Sequence, residues 1–368
     1  MRTILIFIGS CAVLILNLAL YIHFSCTALN ILYCVSELDL ENSLFYFDFS
    51  FYFDALSLTL LLLTNLIFVI SVYYSLYNVK SSIFLFFNFN IFLIFLLNII
   101  FCILDLFVFY ILFEFVLLPL FFLISLWGNR LQRLRAATLF YIYTSFFSFF
   151  LLFGLFIIYM WFGSYDYIFV KSFIEFYHYS DFHLKIIWLI FFFFFIVKLP
   201  LIPFHIWLPE AHVEAPTICS VILASLILKL GGYGLMRFLL PLSHSLMIYF
   251  SSLLLIMSVL SFLYSTFIAL VQVDLKKIIA YSSISHMSLF LIGISLNSYY
   301  SFIGSWLMLL AHGFVSGALF FLIGIIYVRF NTRLLKYFSG LSVFSDKINF
   351  FFFFSCLLIL VFQVQLIL

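Results

Sequence analysis

The sequence predicts an all-α, polytopic membrane helical bundle of about eleven helices. Three observations carry that prediction. Of 368 residues, 67% are apolar and only 8% are Asp, Glu, Lys or Arg, whereas a soluble domain carries about 25% charge to meet water. The apolar residues fall in runs of spanning length, about 20 residues each. When those runs are taken as alternating crossings, the basic residues collect on one side, as they do on the cytoplasmic or matrix face of a membrane.

The first run, 4–24, is long enough to span and lacks a small-residue cleavage site, so it reads as a retained helix. Further spans are expected at 55–77, 83–104, 105–127, 136–162, 185–208, 217–240, 246–270, 279–297, 299–328 and 347–368. The apolar stretch from Ile83 to Trp127 is too long for one crossing, and Asp105 marks the place where it turns. Span 185–208 is expected to break near 198–209, because Pro200, Pro203 and Pro209 each remove an N–H donor and free a carbonyl. Membrane helices tolerate such breaks where they line a polar cavity. The longest connections, near 25–54 and 163–184, read as loops. The whole chain, 1–368, is thus expected to form a single membrane domain: an N-terminal helix and loop at 1–54, a core at 55–345 and a last helix at 346–368. Nothing in it is long enough to house a nucleotide site or a soluble catalytic centre.

With the N-terminus on the positive side, that side receives eleven basic residues: Arg2, Lys80, Arg130, Arg133, Arg135, Lys276, Lys277, Arg329, Arg333, Lys336 and Lys347. The other side receives three, Lys171, Lys185 and Arg237, together with the acidic loop of Glu37, Asp39, Glu41 and Asp48. Miscounting by one helix would scramble this separation. Lys198 and Lys229 remain inside the membrane.

A net charge of +2 gives no basic field for nucleic acid. The six cysteines, at 11, 26, 34, 102, 219 and 356, form no Cys-x-x-Cys pair, so neither a metal site nor an iron–sulfur cluster is expected. The 57 phenylalanines are more than lipid demands and fit a T-rich organellar genome.

Ionisable groups at bilayer depth are costly and usually functional. Glu114, in DLFVFYILFEFVLLPLF, lies nine residues from Asp105 and thirteen from Trp127, near mid-membrane. Its bland alternative is a neutral carboxyl bonded to a neighbouring helix. Lys198 follows five phenylalanines and precedes the prolines, too deep to reach the interface easily. Lys229, in ILASLILKLGGYGLMRF, sits beside Gly231, Gly232 and Gly234, which permit close approach of another backbone. His286 and His312 lie within spans beside small and hydroxyl residues. Imidazole suits a proton relay, and equally a simple bond to serine. His205 and His212 flank the break, where interfacial and relay roles stand level. Bis-histidine haem ligation is disfavoured, because 286 and 312 are single histidines on separate spans. A line of carboxylate, two lysines and two histidines can pass protons, since protonating one site changes its neighbour's affinity.

Several stretches resemble the antiporter-like membrane subunits of respiratory NADH dehydrogenase (complex I): FDALSLTLLLLTNLI (53–67), DLFVFYILFEFVLLPLFFLISLWG (105–128), RLRAATLFYIYT (133–144), KLPLIPFHIWLPEAHVEAPTICSVILASLILKLGGYGLMRF (198–238), VDLKKIIAYSSISHMSL (273–289) and AHGFVSGALF (311–320). The resemblance covers about 53–330. It implies inverted repeats, each with one discontinuous helix. It also implies that Glu114 pairs with Lys198 and transmits state between subunits, that Lys229 is the central relay lysine, and that His286 and His312 continue the path. By the same resemblance this chain binds no cofactor. NADH, FMN, iron–sulfur clusters and ubiquinone act elsewhere in the assembly. The expected partners are lipids and the other complex I membrane subunits, including neighbouring antiporter-like ones, in the mitochondrial inner membrane.

The sequence departs from the family at both ends. The family has a further helix before the position of Asp54, and a second buried acid or lysine where 351–368 offers only Gln363 and Gln365, which do not titrate. A separate chain completing the C-terminal helices is the expectation. Two other classes stay open: a subunit of a multi-chain cation/proton antiporter, and a structural subunit that does not pump. The HVEAP and LKLGGYG stretches favour the respiratory enzyme.

Overall fold

A computed structural model describes residues 50–78, 82–128, 130–177, 181–242, 244–338 and 350–355, with Val13, Ile15, Ser36 and Glu37 before them. A two-residue antiparallel ladder, β1 (Ser36–Glu37) with β2 (Ser50–Phe51), precedes the helices. These are α1 (Ala55–Asn78), α2 (Ile83–Ile100), α3 (Leu106–Trp127), α4 (Arg133–Phe162), α5 (Tyr167–Tyr177), α6 (Asp181–Lys198), α7 (Trp207–Glu214), α8 (Thr217–Leu242), α9 (His244–Val271), α10 (Leu275–Ser295) and α11 (Tyr299–Phe330). Among the described residues eight helices are long and apolar enough to cross a membrane. The expected broken span is α6, a turn and α7. The two remaining expected spans, 4–24 and 347–368, lie mostly outside the described residues, as do Gln363 and Gln365.

Local chemistry explains the boundaries. The turn at 104/105 forms because the Asp105 carboxylate accepts from the backbone N–H groups of Phe107 (2.8 Å) and Val108 (2.9 Å), capping α3. Arg133 closes the other end of that helix by donating to Leu126 O and Gly128 O, a cation at the negative helix terminus. Only glycine fits at 128, where a Cβ would lie 2.5 Å from Ile124 O and 2.9 Å from Glu214 O. Asp274 caps α10 through Lys276 N, which pulls Lys276 into the helix and out of the loop expected there. The loop expected at 163–184 contains α5, which buries Val170 and Tyr167 and exposes Ile168 and Phe169. At eleven residues it is too short for a span-length criterion to find.

The chain divides into two compact units. Unit 1 comprises Met1–Leu123, Thr144–Phe194 and Tyr233–Ser243. Within it, α1 and α2 are joined by a polar chain: Thr64 Oγ1 donates to Asn98 Oδ1 (2.7 Å) and Asn98 Nδ2 donates to Asn65 Oδ1 (3.2 Å). Arg237 pairs with Asp54 and lies over the Tyr52 ring. Tyr52 N donates to Cys102 O, and Leu106 N to Tyr165 O. These are the connections that the charge count assigns to the less positive side, and in unit 1 they meet.

Unit 2 comprises Ile124–Tyr143, Phe195–Gly232 and His244–Leu368. Here the connections assigned to the positive side meet. Arg130 lies 3.9 Å from Glu214 and 3.6 Å from Asp274. Leu275 N donates to Arg333 O, and Leu335 N to Val273 O. In unit 2, α10 packs along α9, α11 and α7, and α11 packs along the start of α8. In unit 1, large apolar residues of α4 are exposed, among them Phe146, Phe149, Phe153 and Phe156. Such a surface needs lipid or other apolar chains around it.

Candidate functional site

Helix α6 ends at Lys198, which is buried. Pro200 stops the helix there. The chain turns through 199–206, and Phe204 N donates to Leu201 O. Pro209 lies in the first turn of α7, where its missing N–H costs nothing. The break is tied back by Trp207, whose indole donates to Val197 O at 3.0 Å and whose ring meets Phe140. Helix α7 ends at Ala215, extended (φ −63°, ψ 146°) before Pro216, as a pre-proline residue prefers.

Helix α8 carries Lys229. Residues 223–227 form a π-helical turn, α-helix resumes at Leu228, and a second π-helical turn follows at Leu235–Leu239. Wide turns of this kind leave carbonyls without their usual partner and recur at functional sites. One such carbonyl, Ala224 O, accepts from Lys229 Nζ at 2.7 Å, five residues on. The lysine is fully buried. Its Nζ also lies 2.8 Å from His312 Nδ1 of α11. An ammonium donates to an unprotonated Nδ1, and a neutral amine accepts from Nδ1–H, so the contact is a hydrogen bond in either pattern. With both groups cationic it is not. Unit charges about 4 Å apart at an effective dielectric near 20 repel by about 4 kcal/mol, so the contact disfavours a doubly charged pair.

The two adjacent glycines serve two different contacts. At Gly231 an added Cβ would lie 3.0 Å from Lys198 Cβ and 3.3 Å from Leu199 N, so the break packs against α8 two residues after Lys229. At Gly232 it would lie 2.1 Å from Leu309 Cδ1, so α11 closes on the same turn. His286 continues the cluster. Its ring centroid is 5.8 Å from that of His312, and both are buried. Lys198, Lys229, His286 and His312 thus belong to one unit. Glu114 lies mid-helix in α3 within unit 1, half-buried, one turn after Tyr110.

Of the two histidines at the break, neither is exposed. His205 packs between the rings of Tyr264 and Tyr281. His212 is completely buried and stacks on Phe320, centroids 4.6 Å apart and planes at 8°. Lys276 was counted among the positive-side loop cations, yet it too is completely buried. Its neighbours Asp274 and Lys277 make the stretch look like a solvated turn. No signal in the sequence separates it from Lys277.

A family model described as NADH:quinone oxidoreductase/Mrp antiporter, TM, matches residues 104–361. The chain is 45% identical over 236 residues to NADH-ubiquinone oxidoreductase chain 4 of Chondrus crispus, covering 64% of this chain and 47% of that protein. It is 47% identical over 225 residues to the protein of the same name from Prototheca wickerhamii, covering 60% and 42%. The chain therefore spans about half the length of the curated relatives it matches. Among solved structures, a chain of respiratory complex I from Thermus thermophilus with bound NADH superposes with a TM-score of 0.82 at 25% identity, covering 93% of this chain and 70% of that one. The antiporter-like resemblance read from the motifs and the all-α membrane fold both hold, and the chain belongs to the NADH:quinone oxidoreductase/Mrp antiporter transmembrane family.

Proposed function

We propose that this chain is a proton-translocating membrane subunit of a respiratory NADH:quinone oxidoreductase in the mitochondrial inner membrane. One observation carries the reading: a fully buried lysine, Lys229, shares a hydrogen bond with a buried histidine, His312, beside a π-helical turn. Such a pair stores one proton and expels it when a second charge arrives. His286 stands next to it as the following acceptor. Lys198, fixed at the helix break and packed on Gly231, supplies the approaching charge. Glu114 of α3 is the carboxylate whose charge state gates that step.

The chain works among other membrane subunits and lipids. Nicotinamide, flavin, iron–sulfur and quinone chemistry belongs to other chains, and coupling to it is long-range. The names of the relatives favour this assembly over a multi-chain cation/proton antiporter. Copurification with NADH:quinone reductase activity discriminates the two.

The test of pumping is Lys229→Ala in the assembled enzyme in sealed vesicles. NADH oxidation and proton translocation are measured together. The expected result is an assembled enzyme with a lowered proton-to-electron ratio. An unchanged ratio would make the chain a structural subunit.

A further inference from the structure

Arg237 and Asp54 form an ion pair that the relay above does not use, at the end of α8 assigned to the less positive side. Arg237 lies eight residues beyond Lys229, about 12 Å along the helix axis. It stands within the second π-helical turn, Leu235–Leu239, and such turns recur at functional sites. Asp54 precedes α1 as Asp105 precedes α3, but the Asp105 carboxylate caps its own helix and the Asp54 carboxylate turns to Arg237. The start of α1 is served by Ser57 instead, whose Oγ accepts from Asp54 N–H (2.7 Å) and donates to Asp54 O (2.9 Å).

The pair is enclosed by aromatic rings of unit 1. The guanidinium lies 4.5 Å over the Tyr52 ring, and Tyr233, one turn before Arg237, donates its hydroxyl to Phe101 O at 3.0 Å. The Asp54 side chain is 22% exposed and that of Arg237 14%, so the cation is the more sheltered partner. Asp54 compensates Nη1, whereas Nε is buried without an acceptor among the described residues. A buried N–H without a protein acceptor bonds to water. A water that accepts from a guanidinium turns its own hydrogens away and is a poor proton acceptor. A fixed cation also repels an incoming proton, as arginine does in water-selective pores. A plain tie between α1 and α8 needs no charge, since buried ion pairs are often replaced by apolar residues without loss.

We infer that Arg237 is a fixed cationic barrier at the less positive end of α8, held in place by Asp54 and Tyr52, that stops protons from running back along α8. The inference rests on the pumping role proposed above. A guanidinium suits the task because it keeps its charge in any protein environment. Asp54 acts as a positioning residue: it holds the cation without cancelling it at the buried Nε.

Two substitutions break the same ion pair, and only one removes the cation. Arg237→Gln and Asp54→Asn are each made in the assembled enzyme and reconstituted in sealed vesicles beside Arg237→Lys. An acid pulse is given without NADH or quinone, and the decay of the pH gradient is followed with a pH-sensitive dye. We expect a several-fold faster decay in Arg237→Gln, and a wild-type decay in Asp54→Asn and in Arg237→Lys. A decay as fast in Asp54→Asn as in Arg237→Gln overturns the barrier and leaves the pair a structural tie. A wild-type decay in Arg237→Gln overturns it outright. If Arg237→Gln fails to assemble, Arg237→Met, which keeps the packing of the side-chain stem, is read by the same decay. The decay is measured without turnover, so it is independent of the Lys229→Ala ratio: a tight Arg237→Gln sinks the barrier alone, and a normal ratio in Lys229→Ala sinks the proposed function.

Discussion

Gly231 and Gly232 offer a test in which neighbouring, chemically identical changes have different outcomes. An alanine at 232 brings its Cβ to 2.1 Å from Leu309 Cδ1 and 3.3 Å from Phe290 Cζ. Carbon contacts settle at about 3.5–4.0 Å, so the Leu309 methyl must retreat by about 1.5 Å. Leu309 and Phe290 are both fully buried, which leaves little room to repack. Overpacking of this kind costs about 1–3 kcal/mol, and alanine's better helix propensity returns about 1 kcal/mol. Gly232→Ala should therefore destabilise by about 1 kcal/mol in net. At 231 the shortfall is smaller, 3.0 Å to Lys198 Cβ and 3.3 Å to Leu199 N. A shift of about 0.5 Å relieves it, and the helix-propensity gain cancels most of the cost. What moves, however, is Lys198 itself. Gly231→Ala should leave the melting temperature of the purified enzyme unchanged and lower its proton-to-electron ratio. Gly232→Ala should lower the melting temperature first. The reasoning is refuted if Gly231→Ala pumps normally, or if Gly232→Ala melts like the wild type.

Two further substitutions probe unit 1. Glu114→Gln removes the charge and keeps the shape and hydrogen-bonding ability, so the enzyme should assemble and pump less; a normal proton-to-electron ratio would remove Glu114 from the mechanism. Asn98→Leu breaks both bonds that join α1 to α2. Interhelical hydrogen bonds in membranes are worth about 0.6–1.7 kcal/mol each, so losing two costs about 1–3 kcal/mol; thermal denaturation of the purified enzyme should move to lower temperature, with pumping in the assembled fraction unchanged.

The spans were legible because lipid leaves few alternatives. A backbone that cannot bond to water must be helical, and Asp105 and the prolines after Lys198 mark the turns. The candidate groups were legible for the same reason, as rare charges in apolar runs. Three features were not. The π-helical turn at 223–227 sits in a helix buried on every side, so no periodicity shifts to reveal it. The burial of His212 depends on Phe320, more than a hundred residues away in sequence. Lys276 carries the composition of a solvent-facing turn, yet its Nζ is buried on Ala215 O, 61 residues away in sequence. Each of these depends on a tertiary neighbour that local composition does not name.

Helix α7 is the element on which these features converge. Eight residues are too few to form a stable helix alone, so its position has to be imposed. Trp207 fixes its first turn through Val197 O. Its C-terminal carbonyls, the negative end of the helix dipole, are held by two cations: Arg333 on Val213 O and Lys276 on Ala215 O. The two are not equivalent. A guanidinium keeps its charge in any protein environment, whereas a buried ammonium can give up a proton. If the Lys276 ammonium gives up its proton, the dipole loses one of its two anchors, but Arg333 keeps the helix in place. That division of labour lets the lysine change state without releasing α7. It also gives Arg333→Lys a distinct expected outcome: both anchors then titrate, and α7 should loosen at alkaline pH, measured as faster amide hydrogen exchange at 212–215 than in the wild-type enzyme. Exchange that stays the same across the alkaline range would show that Arg333 is not the permanent anchor.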